Sequence, residues 1–193
     1  MYIPQHFEVT DREEIIAFIK ANAFGQLISS VNGRMFTSHL PFLMSNDGEY
    51  LFCHVAKRNP QWQDIESQEV LVTFQGPHDY ISPSWYSSPG VPTWNYQVAH
   101  IYGRPRLVTE NEELVNIIHE LTSIYESSFE EPWVPKYDGS MLNFIVGMEI
   151  KITDVQCKFK LSQNRPESDR KQVIKELQKG GPSLLSHAMN NGT

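Results

Sequence analysis

The chain has 193 residues, 40% hydrophobic and 11% aromatic, enough for one substantial core and too few for two comfortable domains. Lys and Arg number 16 against 23 Asp and Glu, a net charge of −7, which argues against a broad face for a nucleic-acid backbone while leaving room for a local pocket around one phosphate. No run approaches the roughly 18 apolar residues that span a bilayer, and the opening MYIPQHFEVTDREE lacks the basic start and apolar core of a secretion signal, so a cytoplasmic protein is expected.

In chain order, Thr10 to Phe24 reads as a first helix. Thr10 and Glu13 have the spacing of a capping box, Ile15, Ile16, Phe18 and Ile19 recur at helical spacing, and Gly25 can end the helix. QLISSV, the dipeptide Asn32-Gly33 and RMFTSHLPF predict a hairpin, because both central residues of a type I′ turn need positive φ. A second turn at Asn46-Asp47-Gly48 leads into the strand EYLFCHV. Asn59 followed by Pro60 is a helix-start signal, predicting a short helix to about Glu66. EVLVTFQG and WNYQVAHIYGRPRLV read as strands. Thr109 and Glu112 suggest a second capping box for a helix to about Tyr125, and residues 127–142 carry no clear pattern. MEIKITDVQCKFKLS alternates as a final strand, Ser168 to Lys179 reads as a polar helix, and the tail after Gly181 as loose chain. Strands in hairpin order without βαβ alternation predict a mainly β fold, a closed or nearly closed antiparallel barrel with peripheral helices.

Most chemical motifs are missing. Cys53 and Cys157 stand far apart without a CxxC, which fits two buried thiols. None of the seven histidines pairs at HxH or HxxxH spacing, so no metal site is expected. There is no GxxxxGK[ST], GxGxxG or GxSxG. Two stretches stand out. One places His54, Lys57 and Arg58 where a strand gives way to a helix start, with Thr37, Ser38 and His39 on a neighbouring strand. On residues alone this is either an anion site or a solvated turn. The other is Tyr80 to Gly103, which holds Trp85, Trp94 and four tyrosines without one formal charge. It suits either a core segment or a surface covered by a flat ligand or a second subunit.

Taken together, MYIPQHF, HVAKRNPQW, VTFQGPHDYISPSWY, VPTWNY and KFKLSQNRP resemble the PaiB family, described as FMN-binding negative transcriptional regulators; the resemblance runs from Met1 to about Leu177. It implies an antiparallel FMN-binding split barrel, similar to pyridoxamine-phosphate oxidases, as one domain over 1–181 with a flexible tail over 182–193. It also implies a homodimer with a flavin cleft at each end of the subunit interface. By fold position, His54, Val55, Ala56 and Lys57 would stand where such barrels hold the ribityl phosphate, with Lys57 as the main cation. Thr37 and Ser38 would be donors on the adjacent strand, and Asn59 would support the turn. Trp94, Asn95 and Tyr96 would lie near the isoalloxazine or close the cleft, from the same or the partner subunit. Lys160 to Arg165 matches the family's C-terminal motif without an evident physical role. Three functions follow: a regulator acting on DNA directly or indirectly, a flavin-dependent oxidoreductase related to pyridoxamine-phosphate oxidases or flavin reductases, and a haem-binding variant with His54 or His100 as axial ligand. No residue identifies a catalytic group or a substrate.

Overall fold

The computed structural model describes residues 1–135, 137, 139–181 and 183–191, with nothing said of the side chains of 139, 140 and 191. Among the described residues there are eight strands: β1 (Glu8–Val9), β2 (Phe24–Val31), β3 (Arg34–Pro41), β4 (Leu43–Met44), β5 (Tyr50–Ala56), β6 (Val70–Ile81), β7 (Thr93–Val108) and β8 (Ile145–Lys160). Five helices accompany them: α1 (Arg12–Ala21), α2 (Asn111–Glu126), α3 (Gly139–Leu142), α4 (Glu167–Gln178) and α5 (Leu184–Asn191). The strand order is β3-β2-β6-β7-β8-β5-β4, with β1 paired to β8, so the hydrogen-bonded path stays open among the described residues rather than closing. No described helix is long and apolar enough to cross a membrane.

The residues group into two compact units. The first comprises Ile16–Phe74 and His100–Val155, and the second Met1–Ile15, Gln75–Ala99 and Gln156–Thr193. In the first unit the β2–β3 hairpin forms as its turn chemistry requires. Asn32 and Gly33 have φ of 52° and 75°, and Val31 pairs with Arg34. The amphipathic stripe of α2 works as its spacing predicts: Leu114, Ile117, Ile118 and Leu121 are buried with Leu43, Val108 and Leu142. Each such side chain contributes about 1.5–3 kcal/mol when fully removed from water. In the second unit, α4 buries Val173 and Leu177, and α5 buries Leu185 and Met189.

Several local details differ from the sequence expectation. The first capping box does not form; the carboxylate of Asp11 accepts from the Glu14 amide at 2.8 Å, because the chain leaves the β1–β8 pairing too late for Thr10 to reach the first turn. The second box is also absent: α2 has Glu110 at its N-cap with no side-chain bond. The helix expected from Pro60 to Glu66 is two single 3-10 turns, Pro60–Trp62 and Ile65–Ser67, interrupted by Asp64 at φ 58°. β6 runs on through Tyr80 to Ile81. The tail expected to be loose carries α5, because Leu185 and Met189 have apolar surface to bury; positions 182, 192 and 193 lie outside the described residues.

Gly103 on β7 shows how close the strands approach. A Cβ there would stand 2.7 Å from the Lys151 carbonyl oxygen and 2.5 Å from Ile150 Cγ2 on β8. Because the Lys151 obstacle is backbone, Gly103→Ala is expected to lower stability by about 1–3 kcal/mol. Urea unfolding of the two proteins measures this, and equal midpoints would show that β7 and β8 have slack here.

Candidate functional site

The first unit brings most of the predicted anion-site residues to the end of β5. β5 pairs with β8 from Tyr50↔Lys151 to Ala56↔Ile145, and the pairing extends one residue further through the Lys57 amide, which donates to the Phe144 carbonyl at 2.8 Å. The following turn is braced twice. Asn59 Oδ1 accepts from the Gln61 amide at 2.9 Å, and Trp62 Nε1 donates to the Lys57 carbonyl at 3.0 Å. Lys57 and Arg58 are thereby held at an exposed tip, and neither side chain has a hydrogen bond or ion pair among the described residues. Two cations side by side without an acid are unusual in a chain of net charge −7.

Around this tip, Asn59 Nδ2 donates to Ser38 Oγ at 2.8 Å, leaving the hydroxyl proton of Ser38 free to donate elsewhere. β3 lies beside β5. Ser38 pairs with buried Leu27 and faces inward, so the neighbouring Thr37, paired with Ile28, faces the other side of this edge strand. Thr37 and Ser38 therefore do not present their hydroxyls to one point. Val55 is core and Ala56 exposed. His54 is half-buried. Its Nδ1 is buried with no partner among the described residues, and burial holds the ring below its ordinary value, so it is neutral at neutral pH. The helix N-terminus expected to help hold an anion is not available: the Pro60–Trp62 turn is three residues long and Asn59 uses its Gln61 amide. Any anion binding here rests on side chains.

The second unit holds the other predicted residues. Trp94 is 53% exposed, its ring centroid 6.4 Å from that of His78 and 6.2 Å from that of Tyr80. Asn95 points the opposite way on β7 and is 1% exposed, with Nδ2 donating to Ser162 Oγ at 2.9 Å. Tyr96 is engaged by the buried Lys158 ammonium, 5.3 Å from its ring centroid.

Residues 1–154 match the family model described as "Putative FMN-binding domain". The protease synthase and sporulation protein PAI 2 of Bacillus subtilis (strain 168) is 44% identical over 186 residues, covering 92% of this chain and 89% of that protein. The chain belongs to the FMN-binding PaiB family. The fold is that of flavin-binding split barrels. A flavocytochrome from Azotobacter vinelandii superposes with a TM-score of 0.69 at 16% identity, covering 87% of this chain and 77% of that one. An FAD and heme binding protein from Mycobacterium smegmatis gives 0.68 at 12% identity, covering 91% and 81%.

The residues of this PaiB chain fit the phosphate end of FMN. The braced turn carries Lys57 and Arg58, its Asn59 bonds to the Ser38 hydroxyl, and His54 on the strand before it has a buried Nδ1 without a partner among the described residues. In each unit a cysteine is buried: burial pushes the Cys53 thiol up to about 12, and Cys157 likewise to about 12, so neither forms a thiolate near neutral pH.

Sequence reading missed three parts of the PaiB architecture. Gln61 is fully buried and its Nε2 donates to the Leu27 carbonyl at 2.9 Å and to Ser29 Oγ at 3.0 Å, tying the Lys57 turn to β2. The motif Lys160–Arg165 acquires a role. Lys160 Nζ donates to Thr93 Oγ1 and to the Trp94 carbonyl, and Arg165 donates to the Pro89 carbonyl while its guanidinium stacks 4.3 Å from the Tyr86 ring. Fully buried Asp169 accepts from the Ser87 amide at 2.9 Å, from Ser87 Oγ at 2.6 Å and from Ser88 Oγ at 2.5 Å. Only an unexpected acid on the polar helix could have hinted at Asp169; its partners lie some eighty positions away.

Those hydroxyl bonds hold the Asp169 carboxyl down to about 2. A carboxyl held below its ordinary 3.8 contributes stability that is complete above 3.8 and is lost as pH falls through about 2. Asp169→Asn is therefore expected to destabilise the protein at neutral pH, to flatten the stability loss between those two values, and to speed proteolysis within 87–92. Denaturant titrations across that range, with limited digestion, measure it; an unchanged acid limb would show that Asp169 does not carry the effect.

Proposed function

We propose that this protein is an FMN-binding regulator of the PaiB type that works as a cytoplasmic homodimer and lowers expression of its targets without reading DNA itself. The observation that carries the flavin assignment is the pair of cations, Lys57 and Arg58, without an acid partner among the described residues on the turn that follows the His54 strand, in a chain of an FMN-binding family. In this reading Lys57 neutralises the ribityl phosphate, and Ser38 and His54 donate to it. Asn59 sets the angle of the turn, and the Val55–Ala56 backbone lines the approach. Thr37, on the outer face of the edge strand, serves the rim. Trp94 and Tyr96 flank the isoalloxazine from the partner subunit, and Asn95 holds their strand in place from behind.

Bound flavin would supply electron-transfer chemistry, while the protein positions and shields it. Indirect regulation is supported by charge. The chain carries −7, and α5, the second helix of the α4–α5 pair, contains neither Lys nor Arg, whereas a recognition helix meets DNA phosphates with such residues. The second reading, a flavin-dependent oxidoreductase related to pyridoxamine-phosphate oxidases or flavin reductases, is favoured by the exposed Trp94 ring, a platform on which a planar substrate can stack. A haem ligand at His54 or His100 is the less supported alternative.

Four measurements separate these. The visible spectrum of the purified protein is expected to show flavin bands and no Soret band. Lys57→Ala is expected to weaken FMN binding more than about tenfold, since a charge-assisted contact contributes about 1.5–3 kcal/mol; unchanged affinity would place the phosphate elsewhere. A gel shift at moderate salt is expected to show no retardation of target DNA at micromolar protein. A clear shift would reverse the regulatory part, and reoxidisable reduction of the flavin by a nicotinamide would favour the enzyme.

A further inference from the structure

A cavity of about 310 Å³ opens in the first unit among α1, β4 and α2, and no residue of the Lys57 turn lines it. Its volume is at the lower end of small-molecule sites. The floor is apolar and belongs to the core: Ile19, Phe42, Leu43, Met44 and Leu121 are each at most 6% exposed. Above this closed floor the α2 side chains Ile124 and Tyr125, 51% and 47% exposed, also line the cavity, and a ligand of matching size would take their apolar surface out of water.

The mouth is the informative part. It carries one charge of each sign, Lys20 on the last turn of α1 and Glu120 on α2. Lys20 Nζ donates one hydrogen bond to Asn46 Oδ1 at 3.2 Å, and its two other N–H groups remain for a ligand. The Glu120 carboxylate has no hydrogen bond or ion pair among the described residues, and it does not come within 4.0 Å of Lys20. Opposite charges that line one cavity without neutralising each other select among ligands. A monoanion would meet Glu120, a monocation would meet Lys20, and an uncharged apolar molecule would leave both unused. A zwitterion with an apolar tail satisfies all three parts.

We infer that this cavity binds an α-amino acid with a large apolar side chain, its carboxylate toward Lys20, its ammonium toward Glu120 and its side chain on the Ile19–Leu121 floor. This places a metabolite site apart from the flavin turn, on the same unit. It does not depend on the flavin assignment.

The test is calorimetric titration of the full chain, with whatever cofactor it carries as purified, using L-leucine, L-phenylalanine, glycine and N-acetyl-L-phenylalanine amide. Saturable binding of the two apolar amino acids is expected, about tenfold tighter than the amide, with no heat from glycine. Glu120→Gln and Lys20→Met are each expected to weaken amino-acid binding about three- to fivefold, as exposed ion pairs do, and to leave the amide unchanged. Ala23→Phe, which fills the cavity from its wall, is expected to abolish binding while circular dichroism and cofactor content stay the same. Should that variant misfold, the two rim variants still decide. Absence of heat from either amino acid up to about 10 mM, a limit near −2.7 kcal/mol, would overturn the inference. So would equal binding of the amide, or rim variants that change the oligomeric state instead of the affinity, which would identify the cavity as a contact between copies. A colourless protein that binds leucine would defeat the flavin reading and leave this one standing.

Discussion

The rest of the structure depends on the hydrogen-bonded pairing of β8. Its Ile145–Lys151 stretch pairs with β5, its Cys157 and Lys158 pair with β1, and it neighbours β7. The β5 register, ending at Ala56↔Ile145, puts the Lys57 amide on the Phe144 carbonyl and so decides where the exposed cations stand. A slip of one residue would exchange the two faces of β5, turning Cys53 and Val55 outward and His54 inward. The far end of β8 runs into Lys160, whose ammonium reaches the Trp94 carbonyl.

The uncharged stretch from Tyr80 to Gly103 is better understood through what lies outside it. It contains no formal charge because charges come to it from elsewhere in the chain. Lys160 caps the Thr93–Trp94 end, Arg165 covers Tyr86 and Pro89, and Asp169 gathers Ser87 and Ser88. Charges supplied within the loop would be free to turn to solvent, whereas charges from β8 and α4 arrive on rigid elements. Its side chains divide accordingly. The aliphatic Ile81, Ala99 and Ile101 enter the core, while the rings of Tyr80 and Trp94 remain on the surface with His78.

The same contrast runs through the electrostatics of the chain. Arg106 is bound by Glu149 and Glu113, with Glu149 the larger influence in raising its proton affinity. Lys171 and Lys179 have acids one turn away on α4. Lys57 and Arg58 have no such partner among the described residues, and they are adjacent on one braced turn. Lys158 is a third case, a buried ammonium that donates to the Tyr2 carbonyl at 3.2 Å and lies against the rings of Tyr2, Phe7 and Tyr96. Lys160 beside it is held below its usual value, chiefly by burial and then by Lys158.

Much was legible in the residues alone, because local rules act over a few positions. Asn32-Gly33 made a hairpin since only such residues take two successive positive φ values, and the stripe from Leu114 to Leu121 made a buried helix face since its period is helical. The buried thiols and the gathering of Lys57, Arg58 and Asn59 at one turn were likewise readable, and the quoted motifs pointed to the family; the order of the strands in the sheet was not. The capping boxes were not, because Asp11 competed for the same amide and the paired strand before it set where the helix begins. Nor could sequence decide that Thr37 and Ser38 face opposite sides, that Asn95 turns inward, or that Asp169 meets Ser87. Each of these depends on which strand or helix lies opposite, and that is chosen by pairing and packing between segments far apart in the chain, where no local spacing carries the information.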